Sequence, residues 1–170
     1  VTERVTRQRE ITAEVDMEID LDSTQAQIEQ HLRYEVQYQP LKELVLAAPW
    51  GLADESHNLE IAIMPVVEDE GNRGERSSPL PFSWEPPDTL PESNGMRTLR
   101  VPLPQPLLGR FVVRLRYRVA APKSGSLSEE WLLPLIQPGE GQVSSLQGVV
   151  RSPRSLTVQL ATGTEGWSWK

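Results

Sequence analysis

The clearest pattern in the chain is an unbroken alternation of apolar and polar residues from Ile11 to Leu21. Every odd position in this stretch is apolar, and every even position is polar and mostly acidic. Successive side chains of a β-strand point to opposite faces, whereas a helix would scatter these apolar residues around its circumference. The pattern therefore predicts a long strand with one buried face and one acidic face.

A second alternating stretch follows, in which Leu32, Tyr34, Val36 and Tyr38 share one side. The residues between the two stretches, 22–25, are turn formers, which predicts that both strands form one hairpin. A short helix capped by Ser23 or Thr24 is the alternative. Because proline has no backbone donor, we expect Pro40 to interrupt the second strand.

Strand patterns recur along the rest of the chain, separated by turns rich in glycine and proline. They lie at residues 44–48, 59–67, 99–103, 111–119, 131–136, 142–151 and 156–160. Residues 68–96, with five prolines and three glycines, predict a long loop. About eight or nine strands without a long helix predict an all-β fold, a single-domain antiparallel β-sandwich, immunoglobulin-like in the broad sense. We assign residues 1–162 to this domain and residues 163–170 to a tail; a barrel is the less favoured architecture.

Charge is distributed unevenly, with a net of −11 over residues 1–85 and +4 over residues 86–170. The acidic face of the first strand has its counterpart in an arginine row at Arg114, Arg116 and Arg118. Opposite charges across neighbouring strands stabilise a sheet. We therefore expect these two strands to lie side by side, with recruitment of a partner or binding of a cation by the acidic row as the alternatives.

Composition excludes several classes of function. The net charge of −7 and pI near 4.9 argue against nucleic-acid binding, which requires a basic patch. The chain has no cysteine and no run of about 20 apolar residues, so thiol chemistry and membrane insertion by this segment are not expected. No nucleotide-binding or metal-binding motif is present, and we predict no metal and no cofactor.

Two aromatic residues in the long loop, Phe82 and Trp84, are the candidate ligand or partner contacts. An exposed tryptophan offers a large apolar surface to a sugar or a protein. The alternative is that both rings fold back and close one end of the sandwich. A proline-rich segment of this kind can also be recognised in an extended conformation.

Catalysis has weaker support. Asp54, Glu55 and His57 provide residue types for acid–base or metal chemistry, but their spacing matches no known signature and a polar turn explains them better. We assign no catalytic residue and predict that the chain is not an enzyme.

Taken together, these features predict a non-catalytic module of a larger, extracytoplasmic protein, at the periplasm or cell surface. Its role would be that of a structural spacer or a protein-interaction domain, in contact with a protein partner or with neighbouring domains of the same chain. A carbohydrate-binding module that uses the loop aromatics is the first alternative. A hydrolase domain with a site near His57 is the second.

Overall fold

A computed structural model describes residues 7–53, 57–64, 78–85, 95–121, 131 and 133–153, and most of these residues lie in β-strands. The strands are β1 (Glu10–Leu21), β2 (Gln25–Pro49), β3 (Glu60–Met64), β4 (Ser78–Pro79), β5 (Ser83–Trp84), β6 (Met96–Ala120), β7 (Gln137–Pro138) and β8 (Gln142–Arg151). One turn of 3-10 helix, Trp50–Ala53, follows β2. The all-β prediction is confirmed.

The predicted hairpin of β1 and β2 is also confirmed, and the helical alternative is wrong. The two strands pair in antiparallel register from Glu10 opposite Gln37 to Leu21 opposite Ala26. At the turn, the Asp22 carboxylate accepts hydrogen bonds from the hydroxyl and the amide of Thr24 and from the amide of Gln25. The bond from the Thr24 hydroxyl is the largest of the effects that lower the pKa of Asp22.

Two 25-residue strands, β2 and β6, run through both layers of the molecule. Residues 25–36 of β2 pair with 109–120 of β6, and residues 41–49 of β2 pair with 96–107 of β6. The ladder shifts register between Val36 and Leu41, where Tyr38 has a φ of 70° and Gly109 opposite Val36 has a φ of 84°. The sheet turns a corner here, so each long strand replaces two strands that the sequence predicted as separate.

The corner folds one eight-stranded sheet into a sandwich. Its first layer has the strand order β4-β3-β6-β2-β1-β8. The second layer consists of residues 41–49 of β2 and 96–107 of β6, with β7 paired to β2 and β5 paired to β6. Both layers contribute to a single apolar core, with Val15 and Leu32 from the first and Leu46 and Val101 from the second. The sandwich prediction is confirmed with one correction, because β8 lies parallel to β1 and the sheet is mixed.

Residues 131 and 133–136 do not form the strand that their apolar pattern predicted. The backbone of Ile136 instead bonds to the side chain of Gln30, which is fully buried on the apolar face of β2. The Gln30 amide nitrogen donates to the Ile136 carbonyl at 3.0 Å, and its oxygen accepts from the Ile136 amide at 3.1 Å. A side chain thus takes the place of a neighbouring strand.

The expected direct contact between the acidic row and the arginine row is wrong, because β2 lies between β1 and β6. In the arginine row, Arg116 lies 2.6 Å from Glu29 of β2, and Arg110 of the same strand lies 3.5 Å from Glu35 of β2. The acidic row of β1 pairs with Arg33 of β2 and with Arg151 of β8. Charges therefore compensate within the sheet, as expected, but through different neighbours.

Tyr38 is a further correction, since its side chain is 49% exposed and does not face the core. Its positive φ at the corner breaks the alternation that predicted its direction. Within the predicted loop 68–96, residues 78–85 add the two-residue strands β4 and β5 to the sheet. The other residues between 65 and 94, the strand predicted at 156–160 and the tail at 163–170 lie outside the described residues.

Candidate interaction surface

The edge strand β8 carries three of the five exposed large apolar residues that the structure describes. Val143, Leu146 and Val149 are 44%, 37% and 53% exposed, and only Tyr38 and Leu108 are comparable among the described large apolar residues. β8 is paired on one side, to β1, and no strand within the described ranges lies on its other side. Along this edge, backbone hydrogen-bonding groups and apolar side chains are both accessible.

The register with β1 fixes which face each β8 side chain occupies. Leu146 and Val150 lie opposite Val15 and Ile19, on the face that continues the core. Val149 lies opposite Glu18, on the outer face. The register shifts between Ala13 and Glu14, which is a bulge near the beginning of β8. Past this bulge, β8 presents one apolar face and one mixed face to any strand that joins it.

Two glycines hold β8 close to β1. Gly141 has a φ of 86°, and a Cβ atom there would lie 2.5 Å from the Ile11 carbonyl oxygen. At Gly148 a Cβ atom would lie 2.5 Å from Cγ of Met17, whose side chain covers the strand at this point. The glycines allow β8 to approach β1 more closely than residues with a Cβ atom could, and this close approach positions β8 beside β1.

Charge varies along this edge. Near the end of β8, Arg151 lies 2.9 Å from Glu18 and 3.3 Å from Asp20, and the hydrogen bonds that its guanidinium donates to these carboxylates raise its pKa. Near the middle, Gln147 donates to Asp16 at 2.6 Å, and Asp16 also pairs with Arg33. Glu14 is exposed opposite Ser145, and its carboxylate forms no ion pair with the residues that the structure describes.

The candidate contacts Phe82 and Trp84 lie at the second layer, both partly buried against the core. Trp84 belongs to β5 and pairs with Leu99. The Arg97 guanidinium lies 5.6 Å from the Trp84 ring and 5.1 Å from the Trp50 ring, close enough for cation–π attraction to both. This placement agrees with rings that close one end of the sandwich. No observation favours a glycan ligand, and contact with a ligand or partner stays a prediction.

Arg97 also secures the chain on either side of residues 86–94. Its guanidinium donates to the Glu85 carbonyl from Nε at 2.9 Å and from a terminal nitrogen at 2.7 Å. The Glu85 carboxylate in turn accepts from Arg100, which lowers the pKa of Glu85. The Trp50 amide bonds to the Gly95 carbonyl at 3.1 Å. The Trp50 and Trp84 rings both lie beside this arginine.

His57 lies beside a cavity of about 450 Å³, which among the described residues is otherwise lined by Pro49, Gly51, Val119, Leu133 and Pro134. Its Nδ1 lies 2.7 Å from the Arg118 carbonyl, which can only accept, so Nδ1 carries the proton of the bond. None of these described lining residues is a carboxylate or a nucleophile. Asp54 and Glu55 lie outside the described residues, so the hydrolase alternative is untested.

Within the described ranges, no group of three or more histidine, aspartate or glutamate side chains could hold a metal ion. The same residues include no helix with the length and hydropathy to cross a bilayer.

The sequence pattern predicted the strand at residues 142–151 but not that β8 forms an exposed surface. The available signal was the composition: QVSSLQGVVR places apolar residues at both odd and even positions, so one face could not bury them all.

Comparison with known proteins adds little to this description. No family model and no curated protein matches the chain. Among solved structures, it is weakly similar to a non-cellulosomal cohesin from the hyperthermophilic archaeon Archaeoglobus fulgidus, at 13% identity and a TM-score of 0.27, over 86% of this chain and 92% of that one. A TM-score of this size supports no conclusion about function.

Proposed function

We propose that this chain is a non-catalytic β-sandwich module of a larger, extracytoplasmic protein, and that it binds a protein partner through the edge strand β8. One observation carries the proposal: a ten-residue edge strand leaves Val143, Leu146 and Val149 exposed. Compartment and context are part of the proposal and rest on the sequence alone.

The short strands β4, β5 and β7 differ from β8, and this difference supports binding of a partner through β8. Exposed edges promote unwanted pairing, and proteins protect them with short strands, prolines, bulges and charges. β4 and β7 are two residues long and each ends in a proline, and β5 is also two residues long. β8 has a bulge near its beginning and Arg151 at its end, but its central residues 145–150 carry no charge and no proline. A module that acts only as a spacer does not need an edge strand without protecting charges or prolines at its centre.

The physical mode is strand addition. An extended segment that pairs with β8 would gain backbone hydrogen bonds along the strand and would cover Leu146 on one face and Val149 on the other. Because a single added strand makes a small interface, we expect specificity to depend on few side chains.

The test is a selection of displayed random decapeptides on the full chain, followed by affinity measurement with the enriched peptides. Val149→Lys adds an edge charge of the kind that blocks strand pairing, and we expect it to weaken binding about tenfold, or about 1.4 kcal/mol. The matched control is Leu108→Lys, which makes the same change at a side chain that is 59% exposed at the corner of the sheet. Loss of affinity in both variants, or failure of any peptide to enrich, would contradict the proposal.

A further inference from the structure

The regular part of the β8 edge has its apolar side chains placed symmetrically about one residue. After the register shift at its beginning, β8 pairs with β1 without interruption from Ser145 to Arg151. Gly148 is the middle residue of this stretch. On the face that continues the core, Leu146 lies two residues before Gly148 and Val150 lies two residues after it. The core-side face of this edge therefore presents the same apolar pattern in both directions from Gly148.

We infer that the partner of the β8 edge is a second copy of this chain, paired antiparallel about a two-fold axis at Gly148. This inference rests on the proposed strand addition and names the strand that is added. In a two-fold symmetric dimer, every contact of one residue with another occurs twice, with the roles of the two copies exchanged. An axis at Gly148 places Leu146 of each copy opposite Val150 of the other, so the apolar faces of both strands become continuous.

The geometry of an antiparallel ladder restricts where the axis can lie. Residues directly opposite each other share the face of their side chains and the direction of their backbone hydrogen-bonding groups. A two-fold axis therefore passes between two copies of the same residue. Gly148 is the position at which residues 145–151 pair completely with themselves. An axis one residue earlier would bring the bulge into the ladder, and an axis one residue later would shorten the ladder.

Met17 supports a close approach of the two copies at this axis. It lies opposite Gly148 in the β1–β8 register, and its Cγ lies 2.5 Å from the position that a Cβ atom of Gly148 would take. Opposite residues of an antiparallel pair have Cα atoms about 4.5–5.5 Å apart. The Met17 side chains of both copies would thus lie near the axis and cover the two glycines, and a flexible methionine side chain adapts well to such a position.

Charge is compatible with this register. Arg151 is the only charged residue of β8, and in the dimer it would lie opposite the small side chain of Ser145 of the other copy. There it would face the half of the other copy's β1 that carries Glu14 and Asp16. The acidic faces of the two β1 strands would be three strand spacings apart, about 14 Å. Because the Debye length is about 8 Å at physiological ionic strength, repulsion between these faces is largely screened.

The small size of the interface sets the expected affinity. The pairing of residues 145–151 with themselves buries much less than the roughly 800 Å² per partner of a standard interface. We therefore expect a dissociation constant between about 10 μM and about 1 mM, so that the dilute chain is a monomer.

Sedimentation equilibrium of the full chain, from about 5 μM to about 1 mM, measures this dimer. Val149→Lys adds to each copy an edge charge that opposes strand pairing, and we expect the dissociation constant to rise at least about tenfold. Leu108→Lys makes the same change at an exposed residue of β6 and should leave the dissociation constant unchanged.

Introduced cysteines test the register. The chain has no cysteine, so each variant contains a single thiol. With the axis at Gly148, Gln147 of one copy lies opposite Val149 of the other, at a Cα distance of about 4.5–5.5 Å that a disulfide can span. Two copies of the same residue would be about 8 Å apart, beyond the limit of roughly 7 Å. Under mild oxidation, a mixture of Gln147→Cys and Val149→Cys chains should therefore form the mixed disulfide, identified by its mass, in preference to either symmetric one.

The outcomes separate this inference from the proposed function. A chain that stays monomeric at about 1 mM, while selected peptides bind it and Val149→Lys weakens them, would overturn the second copy and leave strand addition standing. A dimer that Val149→Lys does not weaken, or disulfides between identical positions alone, would overturn pairing about Gly148. Absence of the dimer together with failure of the display selection would overturn both.

Hydrogen exchange of the β8 amides tests whether the edge is free in the monomer. We expect their protection to appear at the concentrations that populate the dimer and to be absent in the dilute chain. Protection in the dilute chain would assign the edge to another segment of the same chain and overturn the inference. The display selection uses the chain immobilised at low density, where it is monomeric, so that self-association does not compete with the peptides.

Discussion

At the scale of single residues, Gln30 shows how a polar side chain can specify packing inside an apolar core. It occupies a position of β2 that the alternation reserves for apolar residues, and it is fully buried. The Tyr117 hydroxyl lies 2.8 Å from both the Gln30 side-chain oxygen and the Pro134 carbonyl, and donates its single proton to one of them. Burial raises the pKa of Tyr117, which keeps this hydroxyl protonated as a donor. The sequence could not reveal these partners because they lie more than 80 residues away in the chain.

Replacing Gln30 by leucine tests this network. The variant keeps the side chain's approximate size but leaves the amide and carbonyl of Ile136 buried without their partner. We expect the free energy of unfolding in urea to fall by about 2–4 kcal/mol. Gln27→Leu makes the same chemical change at an exposed position of the same strand and should stay within about 0.5 kcal/mol. Similar values for the two variants would show that the network contributes nothing to stability.

At the scale of elements, the alternation predicted correctly which face of a strand is buried, but it did not predict which strands are neighbours in the sheet. It identified β1, the first half of β2 and their hairpin, because the hairpin partner follows directly in the chain. It did not reveal that β2 separates the acidic row from the arginine row, since the pattern of a strand states which face is polar and not which strand lies beside it. The parallel pairing of β8 with β1 joins residues about 130 positions apart, and only packing of the whole sandwich decides it.

The β1–β2 hairpin should respond to pH through Asp22. Its pKa is lowered in the folded state by hydrogen bonds that the unfolded chain lacks. A carboxyl group with a depressed folded pKa contributes stability above its unfolded pKa, and this contribution is lost as the pH falls through the folded pKa. We expect Asp22→Asn to destabilise the protein at pH 6 and to differ progressively less from the parent chain as the pH is lowered below 4, in urea unfolding at each pH. A difference that does not change with pH would contradict this role of the carboxylate.

At the scale of the whole molecule, the fold depends on one corner. The predicted sandwich is correct, but it arises from two long strands that bend together at Tyr38 and Gly109, and not from short strands joined by loops. Pro104, Pro106 and Gly109 lie in β6 between residues 99–103 and 111–119, which the pattern predicted as two separate strands. The composition of β8 indicated apolar residues on both of its faces, but its edge position could not be predicted, because whether a strand lies at an edge depends on the order of the complete sheet.

A substitution at the corner can separate the effect of backbone conformation on stability from the effect of packing. Gly109 has a φ of 84°, a conformation that residues with a Cβ atom rarely adopt, yet no atom lies within 4 Å of the position that Cβ would take. Gly109→Ala should therefore cost about 1–2 kcal/mol in urea unfolding through the backbone alone. Gly51→Ala is the matched control, because its Cβ position is equally open and its φ is not in the left-handed region, so little change is expected.

Substitution of Tyr38, on the β2 side of the corner, should change the free energy of unfolding in the opposite direction to Gly109→Ala. Tyr38 has a φ of 70°, which asparagine tolerates better than an aromatic residue, and its ring contacts the Arg7 guanidinium at 5.2 Å. Relief of the backbone strain, roughly 1 kcal/mol, opposes loss of a cation–π contact worth about 0.5–1 kcal/mol at an exposed site. Tyr38→Asn should thus be neutral or slightly stabilising, while Gly109→Ala destabilises. If both substitutions destabilise equally, packing around the corner and not its backbone conformation limits the fold, since strain at Tyr38 would then contribute nothing that asparagine could relieve.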